Sequence, residues 1–198
     1  IADAKDAEMG GGIGALGARR LADGTERLAT SADYRQAMTE MIASGLIDIM
    51  LTSMSSAEAL ADSGAFNASD VTQAIRLTDA TDIWGFRGAS YRERPALPFR
   101  TARLHHARRL AALGLYAVTF YNDRDLDVAT SEAYGRFRQQ AEEAGMAHFL
   151  EVFNPAFPID TGSAELGAFV NDAIVRCLAG VARLEAPLFL KMQFNGAR

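Results

Sequence analysis

Two apolar stretches of this chain each carry one ionisable residue in a position where it could do covalent chemistry. The first is Pro187-Leu-Phe-Leu-Lys-Met-Gln-Phe-Asn195. Read as a strand, whose side chains alternate between faces, it puts Leu188, Leu190, Met192 and Phe194 on one side and Phe189, Lys191, Gln193 and Asn195 on the other. Lys191 is one of two lysines in a chain with 18 arginines. Surface cations here are nearly all Arg, so a Lys inside an apolar strand calls for its own reason. An amine that gives up its proton can attack a carbonyl, which a guanidinium cannot do. The second stretch is His148-Phe-Leu-Glu-Val-Phe153. With the parity of Lys191 extended to it, Phe149, Glu151 and Phe153 share the amine's side. The pair reads in two ways: a buried ion pair of small net stability, or a nucleophile beside a proton shuttle. Burial favours the uncharged form of each group and mutual attraction the charged form, and sequence alone leaves that contest open.

Other residues could complete such a site. Arg87 ends a stretch read as a strand and could meet an anionic group, or pair with Asp123 or Glu93. Tyr121 and Asp123 follow the apolar run 115–122 with the parity of Thr119; a tyrosine hydroxyl can relay protons or hold a rim hydrogen bond. Thr52 ends an earlier strand, and Gln193 shares the face of Lys191. Against these stand weaker signals. His105 and His106 are adjacent on a basic helical run, so they point about 100° apart and make no metal pair. No metal and no cofactor is therefore expected. Gly12-Ile-Gly-Ala-Leu-Gly17 has the spacing of a dinucleotide loop, but that loop needs an apolar strand directly before it, and the residues before it are alternately acidic and small. A mobile glycine loop is the plainer reading.

The elements that would position these residues alternate. Capping signals, helical spacing and glycine stops predict helices over 32–44, from Ser55, near 71–77, and over 99–113, 131–144 and 163–184. Strands are predicted at 48–53, 82–87, 115–122, 148–153 and 187–194. The first 30 residues read as helix or loop. Alternation of this kind makes right-handed β/α units with a parallel sheet. An open doubly wound sheet is apolar on both faces, whereas a barrel interior accepts mixed side chains. Lys191, Glu151 and Arg87 within strands favour an α/β (β/α)8 TIM barrel. Five strands cannot close one, so the chain is expected to be an incomplete barrel of about five to six β/α units forming one domain over 1–198. On that expectation at least two units lie beyond Arg198, and a first strand is missing or hidden in the opening.

Composition limits the partners. The net charge of −5 and pI near 5.2 oppose general binding to nucleic acid or anionic membranes, without excluding a local basic pocket. No apolar run approaches the ~18 residues of a membrane span, and nothing reads as a signal peptide, so a cytoplasmic location is expected. The single Cys177, in an apolar helical run, reads as packed core.

The order of these signals, a Phe-Leu-Glu strand at 149–151, a long helix, then a strand with Leu190-Lys191, resembles the class I, Schiff-base-forming aldolases of the barrel superfamily, such as tagatose-bisphosphate and archaeal-type fructose-bisphosphate aldolases. The resemblance covers roughly residues 30 to 198, and its motifs are short. It implies that the five predicted strands are the second to sixth, with the imine-forming lysine on the sixth and an acid on the fifth. It also implies a lyase acting on a keto-sugar or related carbonyl compound, phosphorylated or not, with Lys191 and Glu151 catalytic. The reading of the residues adds Tyr121 as a catalytic candidate and Arg87, Thr52, Gln193 and Asp123 as substrate-binding candidates. A homo-oligomer is expected. The family's phosphate loops, after the seventh and eighth strands, have no counterpart here, and its first-strand aspartate has no confident match. The rivals from other classes are a barrel that binds a metabolite or partner without catalysis, and a dinucleotide-dependent oxidoreductase using the 12–17 loop.

Overall fold

In the computed structural model, which describes residues 1–84 and 90–196, six parallel strands form one curled sheet, a half-barrel. They are β1 (Ala2–Lys5), β2 (Ile49–Thr52), β3 (Thr72–Arg76), β4 (Leu113–Thr119), β5 (Ala147–Phe153) and β6 (Leu190–Met192), paired in chain order with β1 and β6 at the edges. Helices α1 (Ser31–Ala43), α2 (Met54–Asp62), α3 (Leu104–Leu110), α4 (Arg124–Glu143) and α5 (Leu166–Leu178) join them. Two antiparallel ribbons decorate this frame: Ala18–Arg20 with Glu26–Leu28, and Thr78–Ala80 with Pro98–Arg100.

The sequence-based order of elements needs four corrections. The third strand is Thr72–Arg76, in the segment expected to be helical, while Thr81–Ile83 is a single 3-10 turn and Arg87 lies outside the described residues. Gln73, Ala74 and Arg76 are good helix formers, but pairing on both sides, Thr52 with Ile75 and Ile75 with Gly114, overrides that preference. The opening residues Ala2–Lys5 form a strand paired to β2, so the alternation of acidic and small residues was a strand signal. The helix expected over 99–113 is only Leu104–Leu110, because Pro98–Arg100 pairs with the 78–80 strand and Leu113 already belongs to β4. Finally, Gly114 is no helix stop: a Cβ there would lie 2.2 Å from Leu77 Cδ1, so glycine makes room inside β4 for that side chain.

Side-chain alternation divides the core in two. On the convex side Ile75, Tyr116, Val118, Leu150 and Val152 pack against Leu104, Ala107, Tyr134, Phe137, Val170 and Ile174 of α3, α4 and α5. A neighbouring cluster joins Met50 to Met38 and Ile42 of α1 and Leu60 of α2. On the concave side Leu51, Ala74, Leu115, Ala117 and Phe149 form a smaller apolar layer. Caps fix the helix starts: Thr30 and Asp33 form a capping box on α1, Ser53 caps α2 and Asp123 caps α4. No described helix is long and apolar enough to cross a membrane.

Candidate active site

Strand register places the two residues singled out by the sequence side by side. Lys191 of β6 pairs with Glu151 of β5, and Glu151 pairs in turn with Ala117 of β4. All three lie on the concave face, because Leu190 and Met192 pair with Leu150 and Val152, which pack under the helices. Lys191 Nζ is in ion-pair contact with Glu151 Oε1, the Glu151 side chain 4 % exposed and that of Lys191 45 %. The carboxylate is therefore held in the wall while the amine reaches the opening. Below them the rings of Phe149 and Phe189 stack, centroids 4.7 Å apart, closing the floor on the concave side.

Two further residues complete the cluster, and sequence reasoning passed over both. Arg76, the last residue of β3, crosses β4 so that Nη2 donates to Glu151 Oε2 at 3.1 Å. This reach depends on Ala117, fully buried at the level of Glu151, since a larger side chain there would stand in the guanidinium's way. Arg76 Nε also donates to Asp6 Oδ2, just beyond the end of β1, and Nη1 lies 4.0 Å from Asp79 Oδ1. Burial works to lower the Arg76 pKa, but the carboxylates outweigh it, Asp6 first, and the net shift is upward. Asp79 is moved upward by burial, opposed by the Ala80 N–H, Arg76 and the Trp84 indole N–H. Asp6 escaped notice because its strand did, and Arg76 because its segment read as helix. The period-two alternation of Ala2, Ala4 and Asp6 against Asp3 and Lys5 was the available signal for the first.

The remaining expected residues do other work. The Tyr121 hydroxyl accepts from the Ala96 N–H at 2.6 Å, and its ring stacks on Phe157, so it holds the rim. Asp123 accepts from the N–H groups of Asp125 and Leu126, both at 3.0 Å, as the cap of α4. The left-handed Asn122 (φ 57°) sets up that turn, its amide donating to the Asp160 carbonyl. Thr52 is fully buried and pairs with Ile75 on the helix-facing side, away from Glu151. Gln193 Oε1 accepts from the Asn154 N–H at 2.9 Å, and Asn154 and Asn195 exchange amide hydrogen bonds, so this trio clasps the ends of β5 and β6. The glycine run follows a one-turn helix, Ala7–Gly11, and not a strand, so it lacks the context of a dinucleotide loop.

The concave face thus offers an amine beside a buried acid, with an arginine tying that acid to a second carboxylate. Two buried concave-side polar groups, Arg76 Nη1 and Thr119 Oγ1, have no hydrogen-bond partner among the described residues. Such a set can form and break an imine and can hydrogen-bond substrate oxygens. No protein-family model and no curated protein matches this chain.

Proposed function

We propose that the protein is a class I aldolase-like lyase, cleaving or forming a carbon–carbon bond in a keto-sugar or sugar-phosphate-like substrate through an imine on Lys191. The observation that carries this reading is the contact of Lys191 Nζ with Glu151 Oε1 across adjacent strands, at the open side of a concave face. A proton passed from the ammonium to the carboxylate leaves a neutral amine facing a neutral acid, with no change in the cluster's net charge. The amine attacks the substrate carbonyl carbon, one of its protons moves to the oxygen, and the carbinolamine hydroxyl takes a second proton from Glu151 and leaves as water. In the iminium that remains, the electrons of the breaking carbon–carbon bond flow to nitrogen, while the Glu151 carboxylate accepts the proton of the departing hydroxyl. The aldehyde leaves first. The enamine then takes that proton at carbon from Glu151, and water adds to the resulting iminium to release the ketone and the free Lys191 amine.

In this scheme Arg76 positions Glu151 and Asp6. The curled sheet, wound in chain order, fits the first six strands of a (β/α)8 barrel. In that frame the exposed Leu190 and Met192, on the helix-facing side of β6, are where an outer-ring helix would pack. The competing reading, a binding barrel in which the cluster is only structural, draws on Arg76, which already holds Glu151. A ketose and ketose-phosphate panel assayed for aldehyde release separates the two. The lyase reading expects turnover that Lys191→Met abolishes and Glu151→Gln lowers by about 10²–10⁴-fold. Folded wild type with no turnover on any member of the panel favours the structural reading.

A further inference from the structure

On the opposite, convex side of the sheet a cavity of about 200 Å³ lies between the 98–100 strand, β4 and α4, with walls that include Phe99, Arg100, Tyr116, Arg136 and Gln140. A shallower groove continues from it past Arg103 and His105, sharing Arg100 and Gln140. Arg100 and Arg103 have no salt bridge among the described residues, and Arg136 meets only Glu132, at 3.7 Å, with both side chains exposed to solvent. In a chain with more acidic than basic residues, several guanidiniums gathered around one hollow with a single exposed ion pair among them are not a consequence of composition. Both Arg100 and Arg136 approach the Tyr116 hydroxyl closely enough to act on its pKa. Burial raises that pKa to about 12 and the two arginines oppose the rise, Arg100 more than Arg136. The Arg100 guanidinium is further fixed over the Phe137 ring, 5.9 Å from its centroid.

We infer that this hollow is a second binding site, separate from the Lys191 face, for a small phosphate ester. Two guanidiniums lining one hollow can supply the donors that a phosphate dianion needs, and Arg is the side chain suited to fork-like recognition of it. Phe99 and Tyr116 offer an apolar wall to the carbon part. Pockets for drug-sized ligands measure roughly 300–1,000 Å³, so the hollow suits a phosphate on a short carbon chain better than a whole nucleotide. The site lies on the helix-facing side of β4, so its occupant would bear on the packing of α4 and the 98–100 strand and not on the reacting carbonyl.

Glycerol 3-phosphate is a suitable probe, because it carries no carbonyl and cannot form an imine. Its titration, alongside inorganic phosphate, is followed through the arginine side-chain N–H resonances in NMR. The inference expects saturable shifts at Arg100 and Arg136. It also expects about tenfold weaker binding in Arg100→Gln and in Arg136→Gln, loss in the double variant, weakening with salt, and no change in Lys191→Met. Both arginines are exposed, and unchanged melting temperatures will show that the variants fold. Non-saturating shifts, or equal affinity in the double variant, would overturn the site. Equal affinity for inorganic phosphate would overturn its assignment to an ester.

Discussion

At the scale of single residues, the cluster around Glu151 divides labour between its two cations. Arg76 is 5 % exposed and touches Asp6 and Glu151, with Asp79 close by, whereas the Lys191 side chain is nearly half exposed and, among the described residues, forms an ion pair with Glu151 alone. Removing the buried cation leaves carboxylates in the wall uncompensated, so Arg76→Met is expected to cost about 3–5 kcal/mol in urea unfolding. Lys191→Met leaves Glu151 with its arginine and is expected to change stability by about 1 kcal/mol or less while removing imine chemistry. Equal losses for the two variants would make Lys191 a structural cation. Ala117 belongs to the same argument: Ala117→Leu inserts a side chain between Arg76 and Glu151 and is expected to cost about 1–3 kcal/mol through overpacking, with loss of turnover. Retained turnover would show that Arg76 does not need that path.

At the scale of elements, β5 carries an acid-sensitive joint as well as the acid of the site. His148 and Tyr134 of α4 share a buried hydrogen bond of 2.8 Å, packed on Phe137. Burial first, then Arg138, pushes the His148 pKa down to about 4, whereas in the unfolded chain it lies near ~6.5. The unfolded state therefore binds a proton that the folded state refuses between these values. The joint's contribution is complete above about pH 6.5 and is lost as pH falls toward 4, by roughly 3 kcal/mol in all. Unfolding measured from pH 8 to pH 4 should show this slope in wild type and a flatter one in His148→Gln; identical slopes would exclude the joint as its source. Elements also explain what the sequence made legible. β4, β5 and the start of α1 were readable because β-branched and aromatic runs and a Thr30 cap agree with the tertiary outcome. β3 reads as helix because a five-residue strand with helix formers at Gln73, Ala74 and Arg76 owes its state to neighbours remote in sequence. Glu151 and Lys191 were found through strand parity, which register preserved. Thr52 rests on strand-end position, and Tyr121 and Asp123 on that position plus the parity of Thr119; Thr52 faces the helices, and local backbone hydrogen bonds claim the other two.

At the scale of the whole molecule, the sheet is solid in the middle and open at its sides. The seven-residue strands β4 and β5 are almost wholly buried, while β1 and β6 are edges with mostly exposed residues, among them Leu190 and Met192. Hydrogen exchange should be slowest in β4 and β5 and fastest at β1 and β6; uniform protection would contradict a sheet with free edges. The same contrast accounts for the site's placement. The acid sits in the buried centre and the amine on a strand near solvent, so on the proposed function a substrate would reach Lys191 without any opening of the core.

The central claim is that Lys191 forms a covalent imine with a carbonyl substrate. Its most direct test is borohydride reduction in the presence of a ketose or ketose phosphate, followed by peptide mass spectrometry. The account predicts one stable adduct, located on Lys191 and absent from Lys191→Met. Adducts confined to Lys5, or no adduct across the panel, would contradict it.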